Sequence, residues 1–136
     1  MRFPKKKKST YRVALIKRCS ILWAKITKLQ TSGRCGLCGS GYQVESHHIV
    51  KKGRIMHRGW FLLDNCIPLC FGCHYDGIHS LHFPTTQLYQ EKIIAYLKEK
   101  GITYDALYQR CRNGPRMDVE ELERVLEGLK DFPSEF

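Results

Sequence analysis

Residues 33–82 read GRCGLCGSGYQVESHHIVKKGRIMHRGWFLLDNCIPLCFGCHYDGIHSLH. Two C-x-x-C pairs frame this stretch, Cys35-Gly-Leu-Cys38 and Cys70-Phe-Gly-Cys73, with 31 residues between them. A lone C-x-x-C is compatible with redox chemistry, but two at this separation have the spacing of paired zinc knuckles. Glycines beside the cysteines allow tight turns and leave backbone N–H groups near the sulfurs. A structural Zn2+ held by Cys35, Cys38, Cys70 and Cys73 is therefore expected, supplying on the order of 10 kcal/mol of folding free energy. The other three cysteines, Cys19, Cys66 and Cys111, read as plain buried thiols. An odd cysteine count without a secretory signal argues against a disulfide scaffold.

Outward from the knuckles, the chain reads as helices on both sides. Residues 1–12 are Lys-rich and read as a flexible arm. Ser20 is placed to cap a helix over about 21–31, with Leu22, Trp23, Ile26 and Leu29 on one stripe, and Gly33 to stop it. Alternation puts Tyr42, Val44, Ser46 and His48 on one strand face and Gln43, Glu45, His47 and Ile49 on the other. Trp60-Phe61-Leu62-Leu63 reads as the returning strand. Beyond the second knuckle, a helix is expected over about 86–100 with Gly101 at its C′ position. Thr103 caps a short helix, and Asp118 with Glu121 opens a last one. The expected organisation is an arm over 1–12, a zinc-containing core with its leading helix over 13–84, and a helical extension over 85–136.

Charge is one-sided. The 136 residues carry a net +10. Residues 1–34 alone hold seven Lys, four Arg and no acid, and residues 115–136 hold seven of the thirteen acids. Such asymmetry points to a polyanion, most simply nucleic acid. Lys5, Lys6, Lys7, Lys8, Lys25, Lys28, Lys51, Lys52, Arg54 and Arg58 are the candidate phosphate contacts. The chain is too short for a barrel enzyme or a two-domain dehydrogenase. It has no run of 18 apolar residues to span a membrane, and its first residues do not read as a signal peptide. A cytoplasmic protein without a membrane partner is expected.

Histidines exceed what a four-cysteine zinc needs. His47 and His48 lie between the knuckles, Asn65 stands in the turn before the second, and His74, His79 and His82 follow it. In this order, His–Asn–His framed by C-x-x-C and C-x-x-C-H resembles the HNH endonucleases of the ββα-metal class. The basic Leu-Trp helix, the histidine-rich exit of the second knuckle and the Tyr104-Asp105-Ala106-Leu107 segment extend the likeness to phage recombination endonucleases of the NinG (Rap) type. The resemblance implies an α+β fold: a small zinc-stabilised ββα-metal core with flanking N- and C-terminal helices. It implies His48 as general base, Asn65 as the residue that orients it, and His47 and His74 as metal ligands. The family places the next ligand four residues after the second, where this chain has Ile78. His79 is the favoured third ligand, with Asp76 and His82 as alternatives, and Gly77 is placed to let the helix open and bring His79 round.

Such residues suit phosphodiester hydrolysis. A phosphodiester repels hydroxide, a divalent cation offsets the charge that builds on phosphorus, and a neutral imidazole takes a proton from water near pH 7. Mg2+ or Mn2+ is the expected catalytic ion. The resemblance implies DNA as partner, in branched or recombination-intermediate form, inside a bacterial host. The broad apolar side of the helices after residue 84 would also suit a homodimer. Two other readings use the same residues: a non-catalytic zinc nucleic-acid-binding module, and a structural or interaction protein.

Overall fold

The structure, a computed structural model, describes residues 5–51, 58–112 and 117–132. It is a small α+β domain. Helix α1 (Lys5–Leu29) leads into the first knuckle and strand β1 (Glu45–His47). A short 3-10 turn (Arg58–Trp60), strand β2 (Ile67–Leu69) and a π-helical turn (Gly72–Ile78) follow. Helices α2 (Phe83–Glu99), α3 (Tyr104–Arg112) and α4 (Val119–Lys130) complete the chain. Among the described residues, no helix is long and apolar enough to cross a membrane.

Helix α1 is longer than its sequence suggests. It takes in residues 5–12, read above as a flexible arm, and passes Ser20 without a stop. The reason is a stripe that starts earlier. Leu15, Cys19, Trp23 and Ile26 recur at intervals of four, four and three and are all buried. They pack with Met117, Leu122, Leu126 and Leu129, so the first and last helices share one core. Lysine is a fair helix former, which offsets part of the repulsion of Lys5–Lys8 from one another and from the positive end of the helix dipole.

The helix ends after residue 84 obey local rules. Pro84 sits in the first turn of α2, where its missing N–H costs nothing. Gly101 closes α2 at φ +78°, a left-handed conformation that a Cβ would strain. Thr103 Oγ1 accepts from Ala106 N at 3.2 Å. Asp118 Oδ1 accepts from Glu121 N at 2.9 Å.

The sheet has two antiparallel strands, with Glu45 opposite Leu69, Ser46 opposite Pro68 and His47 opposite Ile67. The returning strand is thus Ile67–Leu69, not Trp60–Leu63. Three of the four carbonyls of that earlier apolar run, and that of Gly59 before it, accept from side chains instead. Gly59 O accepts from Asn65 Nδ2 at 2.8 Å, Trp60 O from His48 Nε2 at 2.8 Å, Leu62 O from Trp23 Nε1 at 2.9 Å and Leu63 O from Gln30 Nε2 at 3.1 Å. A strand needs those carbonyls for its ladder. Pro68 is tolerated in β2 because the pair is all edge, and its carbonyl still accepts from Gly36 N at 2.7 Å.

Because α4 completes the core against α1, Leu122→Ala should destabilise the domain by about 2–5 kcal/mol, read by chemical denaturation at fixed metal. A loss well below 1 kcal/mol would show that α4 does not close this core.

Candidate metal centre

Strand alternation separates the side chains of β1. Ser46 turns toward α1, where its Oγ donates to Ala24 O at 3.0 Å and shares a 2.7 Å hydrogen bond with Thr27 Oγ1. His48, one residue past the strand, follows the same side and stacks on Trp23, ring centroids 4.0 Å apart and planes 7° from parallel. Glu45 and His47 turn the other way, toward the π-turn. The two neighbouring histidines therefore serve different surroundings.

The four cysteines come together. Cys35, Cys38, Cys70 and Cys73 place their sulfurs within 4.8 Å of one another, and Cys38 Sγ lies 3.5 Å from Cys70 Sγ. Sulfurs about 2.3 Å from a tetrahedral ion sit about 3.8 Å apart, so the cluster has the dimensions of a four-thiolate metal site. Backbone N–H groups support the sulfurs: Leu37 N donates to Cys35 Sγ at 3.4 Å and Cys73 N to Cys70 Sγ at 3.5 Å. Burial opposes ionisation of Cys35, but backbone donors from Cys70, Cys38 and Leu37 outweigh it and bring its pKa down to about 7. Cys73 is pushed up, first by burial and then by the sulfurs of Cys70, Cys38 and Cys35. Four thiolates this close repel one another, and a divalent cation between them removes that repulsion.

A second cluster lies beside the first. One ring nitrogen each from His47, His74 and His79 falls within 4.8 Å of the others. The ring centroids of His47 lie 5.3 Å from His74 and 5.5 Å from His79, and those of His74 and His79 are 4.7 Å apart. In an α-helix, residues five apart point about 140° away from each other. Here the turn is π-helical: His79 N donates to His74 O at 2.9 Å, an i→i+5 bond. That bond absorbs the extra residue and stacks His79 above His74. His82 lies outside the cluster at the start of α2, its Nδ1 2.8 Å from Thr85 Oγ1, and Asp76 is exposed on the turn.

The π-turn is possible because of Gly77. A Cβ there would lie 2.6 Å from Cε1 of Tyr89, so the Tyr89 ring of α2 occupies the notch. Tyr89 also faces the cysteine cluster: burial, then the sulfur of Cys73, raises its pKa. The sequence places Tyr89 only on the apolar side of the helix after Pro84, and Gly77 is the one local signal for its contact with the turn.

The electrostatics favour neutral imidazoles. Burial, then the charges of His74 and His79, lowers the pKa of His47 to about 4. His74 is lowered by burial and by His79, against a smaller opposing pull from Glu45. His74 Nδ1 is buried and has no hydrogen-bond partner, the Glu45 carboxylate being 3.5 Å away. That is too long for a good hydrogen bond to an uncharged ring. An orphaned buried nitrogen costs free energy, and each of the three imidazoles has one ring nitrogen placed where a cation could be shared. Three protein ligands leave a coordination position open, whereas four cysteines close their site.

Asn65 is fully buried and ties two segments together. Its Oδ1 accepts from Val50 N at 2.7 Å, and its Nδ2 donates to Val50 O at 3.1 Å and to Gly59 O at 2.8 Å. The residue after Gly59 supplies the carbonyl that holds His48. A carbonyl can only accept, so Nε2 of His48 carries the hydrogen that Trp60 O receives.

The basic residues are only partly placed. Lys25 is exposed and Lys28 half-buried on α1, and Lys51 is exposed and close enough to act on His47. Lys5–Lys8 form the first turns of α1; their side chains, like Lys52, Arg54 and the side chain of Arg58, lie outside the described residues. The chain matches no family model, no curated protein and no solved structure.

Gly77→Ala should force Tyr89 off the π-turn and weaken metal binding at the three histidines by roughly tenfold or more, while the four-cysteine site keeps its ion. Isothermal titration with Co2+ reads this directly. Tyr89→Leu in the same chain should restore part of the affinity, and unchanged binding in Gly77→Ala would break the link between notch and site.

Proposed function

We propose that the protein is a metal-dependent DNA endonuclease of the HNH kind, with a ββα-metal site built on β1, β2 and the π-turn. The observation that carries the reading is the second cluster. Three imidazoles converge beside a four-cysteine site that needs none of them. In this reading Cys35, Cys38, Cys70 and Cys73 hold Zn2+, and His47, His74 and His79 hold the catalytic ion, Mg2+ or Mn2+ with phosphate and water completing the shell. When bound, that ion supplies Lewis-acid stabilisation of the charge on phosphorus and on the leaving 3′-oxygen.

The chain's own residues do the rest. His48 takes the proton of the attacking water as the water oxygen bonds to phosphorus and the P–O3′ bond breaks. The indole face of Trp23 beneath it attracts the positive ring that proton uptake creates. Asn65 fixes both segments that hold His48. Lys51, with Lys25 and Lys28 on α1, contributes positive charge for phosphate, so binding should fall steeply with salt. The likeness to phage recombination nucleases adds branched DNA as the substrate form.

One observation favours a second reading. His48 faces α1 rather than the histidine cluster, as a structural histidine in a non-catalytic metal-binding nucleic-acid module would. Cleavage separates the two. After loosely bound metal is removed, supercoiled plasmid, linear duplex and a four-way junction are incubated with Mg2+ or Mn2+. Wild type should cut, and His48→Ala should lose about 10²–10⁴-fold in rate while still folding and binding DNA. Faster cutting of the junction supports the recombination role. Tight binding without cleavage under either metal would leave the binding module.

A further inference from the structure

Beside the histidine cluster runs a row of aromatic side chains that the hydrolytic reading does not use. Tyr42, Phe71 and Tyr75 are 65%, 42% and 46% exposed, in a protein that buries Leu15, Trp23 and Leu122 almost completely. The three rings touch in sequence. Tyr42 meets Phe71 edge-on with centroids 6.3 Å apart, and Phe71 meets Tyr75 at 4.9 Å. Tyr75 in turn lies 4.6 Å from the ring of His74. The row therefore leads from the first knuckle to a residue of the metal cluster.

The backbone that carries the rings is tied down, and the Tyr75 ring is tethered directly. Phe71 N donates to Tyr42 O at 3.2 Å, which ties the knuckle to the turn. Tyr42 N donates to Ser40 Oγ at 3.1 Å. Tyr75 OH donates to Glu45 Oε2 at 3.4 Å, so the Glu45 carboxylate beside the row is engaged by Tyr75 and lies 3.5 Å from His74 Nδ1. Positive charge stands at both ends. Exposed Arg34 donates through Nη1 to Gly39 O in the loop before Tyr42, and Lys51 acts on His47 at the other end.

We infer that Tyr42, Phe71 and Tyr75 form a stacking platform for unpaired bases of a DNA strand whose backbone passes the histidine cluster. The inference rests on the nuclease reading for the class of ligand and adds the form of DNA at the site. An exposed aromatic row flanked by cations suits a polyanion that also offers flat apolar faces. In a duplex those faces are covered by neighbouring base pairs, so only an unpaired base can use the rings. Rings on a tied-down backbone lose less conformational freedom on binding.

The test is fluorescence anisotropy without added divalent ion, using a short oligothymidylate, an abasic oligomer of the same length and a duplex of the same length. Tyr42→Ala and Phe71→Ala should each weaken oligothymidylate binding by about tenfold and leave duplex binding nearly unchanged. Phe71→Leu, which keeps apolar bulk without the ring, should behave like Phe71→Ala, with metal content and thermal unfolding as in wild type. The abasic oligomer should bind wild type as weakly as oligothymidylate binds the variants, and should be insensitive to the substitutions. Equal losses on single strand and duplex, or no loss, would overturn the platform. Duplex cleavage by variants that bind oligothymidylate like wild type would defeat the platform and leave the nuclease reading. Base-dependent binding in a protein that cuts nothing would defeat the nuclease reading and leave the platform.

Discussion

One backbone hydrogen bond, from His79 N to His74 O, sets the geometry on which the rest of the site depends. It spans five residues instead of four and turns the segment after the second knuckle into a π-turn. With α-helical bonding the second histidine would swing to the far side of the axis. With the wider turn, both imidazoles face His47 across the sheet edge. π-turns are rare and concentrate where function requires a side chain to be re-aimed. Here Gly77 makes room for the ring of Tyr89, so α2 braces the turn from outside.

That brace joins two clusters that would otherwise be independent. Tyr89 reaches both the notch at Gly77 and the sulfur of Cys73. The π-turn begins within the second knuckle, where His74 N donates to Cys70 O at 2.9 Å. Ordering of the sulfurs by a metal would therefore order the first residues of the turn that carries two of the three histidines. On the opposite face of the sheet, Asn65, Trp23 and Gln30 hold the carbonyls of Gly59, Leu62 and Leu63. The structure spends side-chain donors, not a third strand, on this segment, and His48 is fixed by the same set of carbonyls.

Much of this was legible where the signal is local. Paired C-x-x-C spacing marked the four cysteines, alternation separated His47 from His48, and Thr103, Asp118 and Gly101 marked helix ends through their own caps. The reading failed where distant partners decide. Trp60–Leu63 has the composition of a strand, but three of its four carbonyls are taken by His48, Trp23 and Gln30 from elsewhere in the chain. Helix α1 runs well before Ser20 because Leu15 and Cys19 meet α4, more than a hundred residues away in sequence. The five-residue spacing of His74 and His79 does not fit an α-helix, and only Gly77 hinted at the turn that reconciles it. Tyr89 carries no motif at all; its part depends on how α2 lies against the turn.

We propose that the fold builds two metal sites of different chemistry, one closed by sulfur and one left open by three imidazoles. Crystals grown with two equivalents of Zn2+ and measured at the zinc absorption edge test it most directly. Two anomalous peaks are expected, one about 2.3 Å from all four sulfurs and one about 2.0–2.1 Å from a ring nitrogen of each of His47, His74 and His79. A single peak among the sulfurs, with the histidines bound to nothing but water, would contradict it.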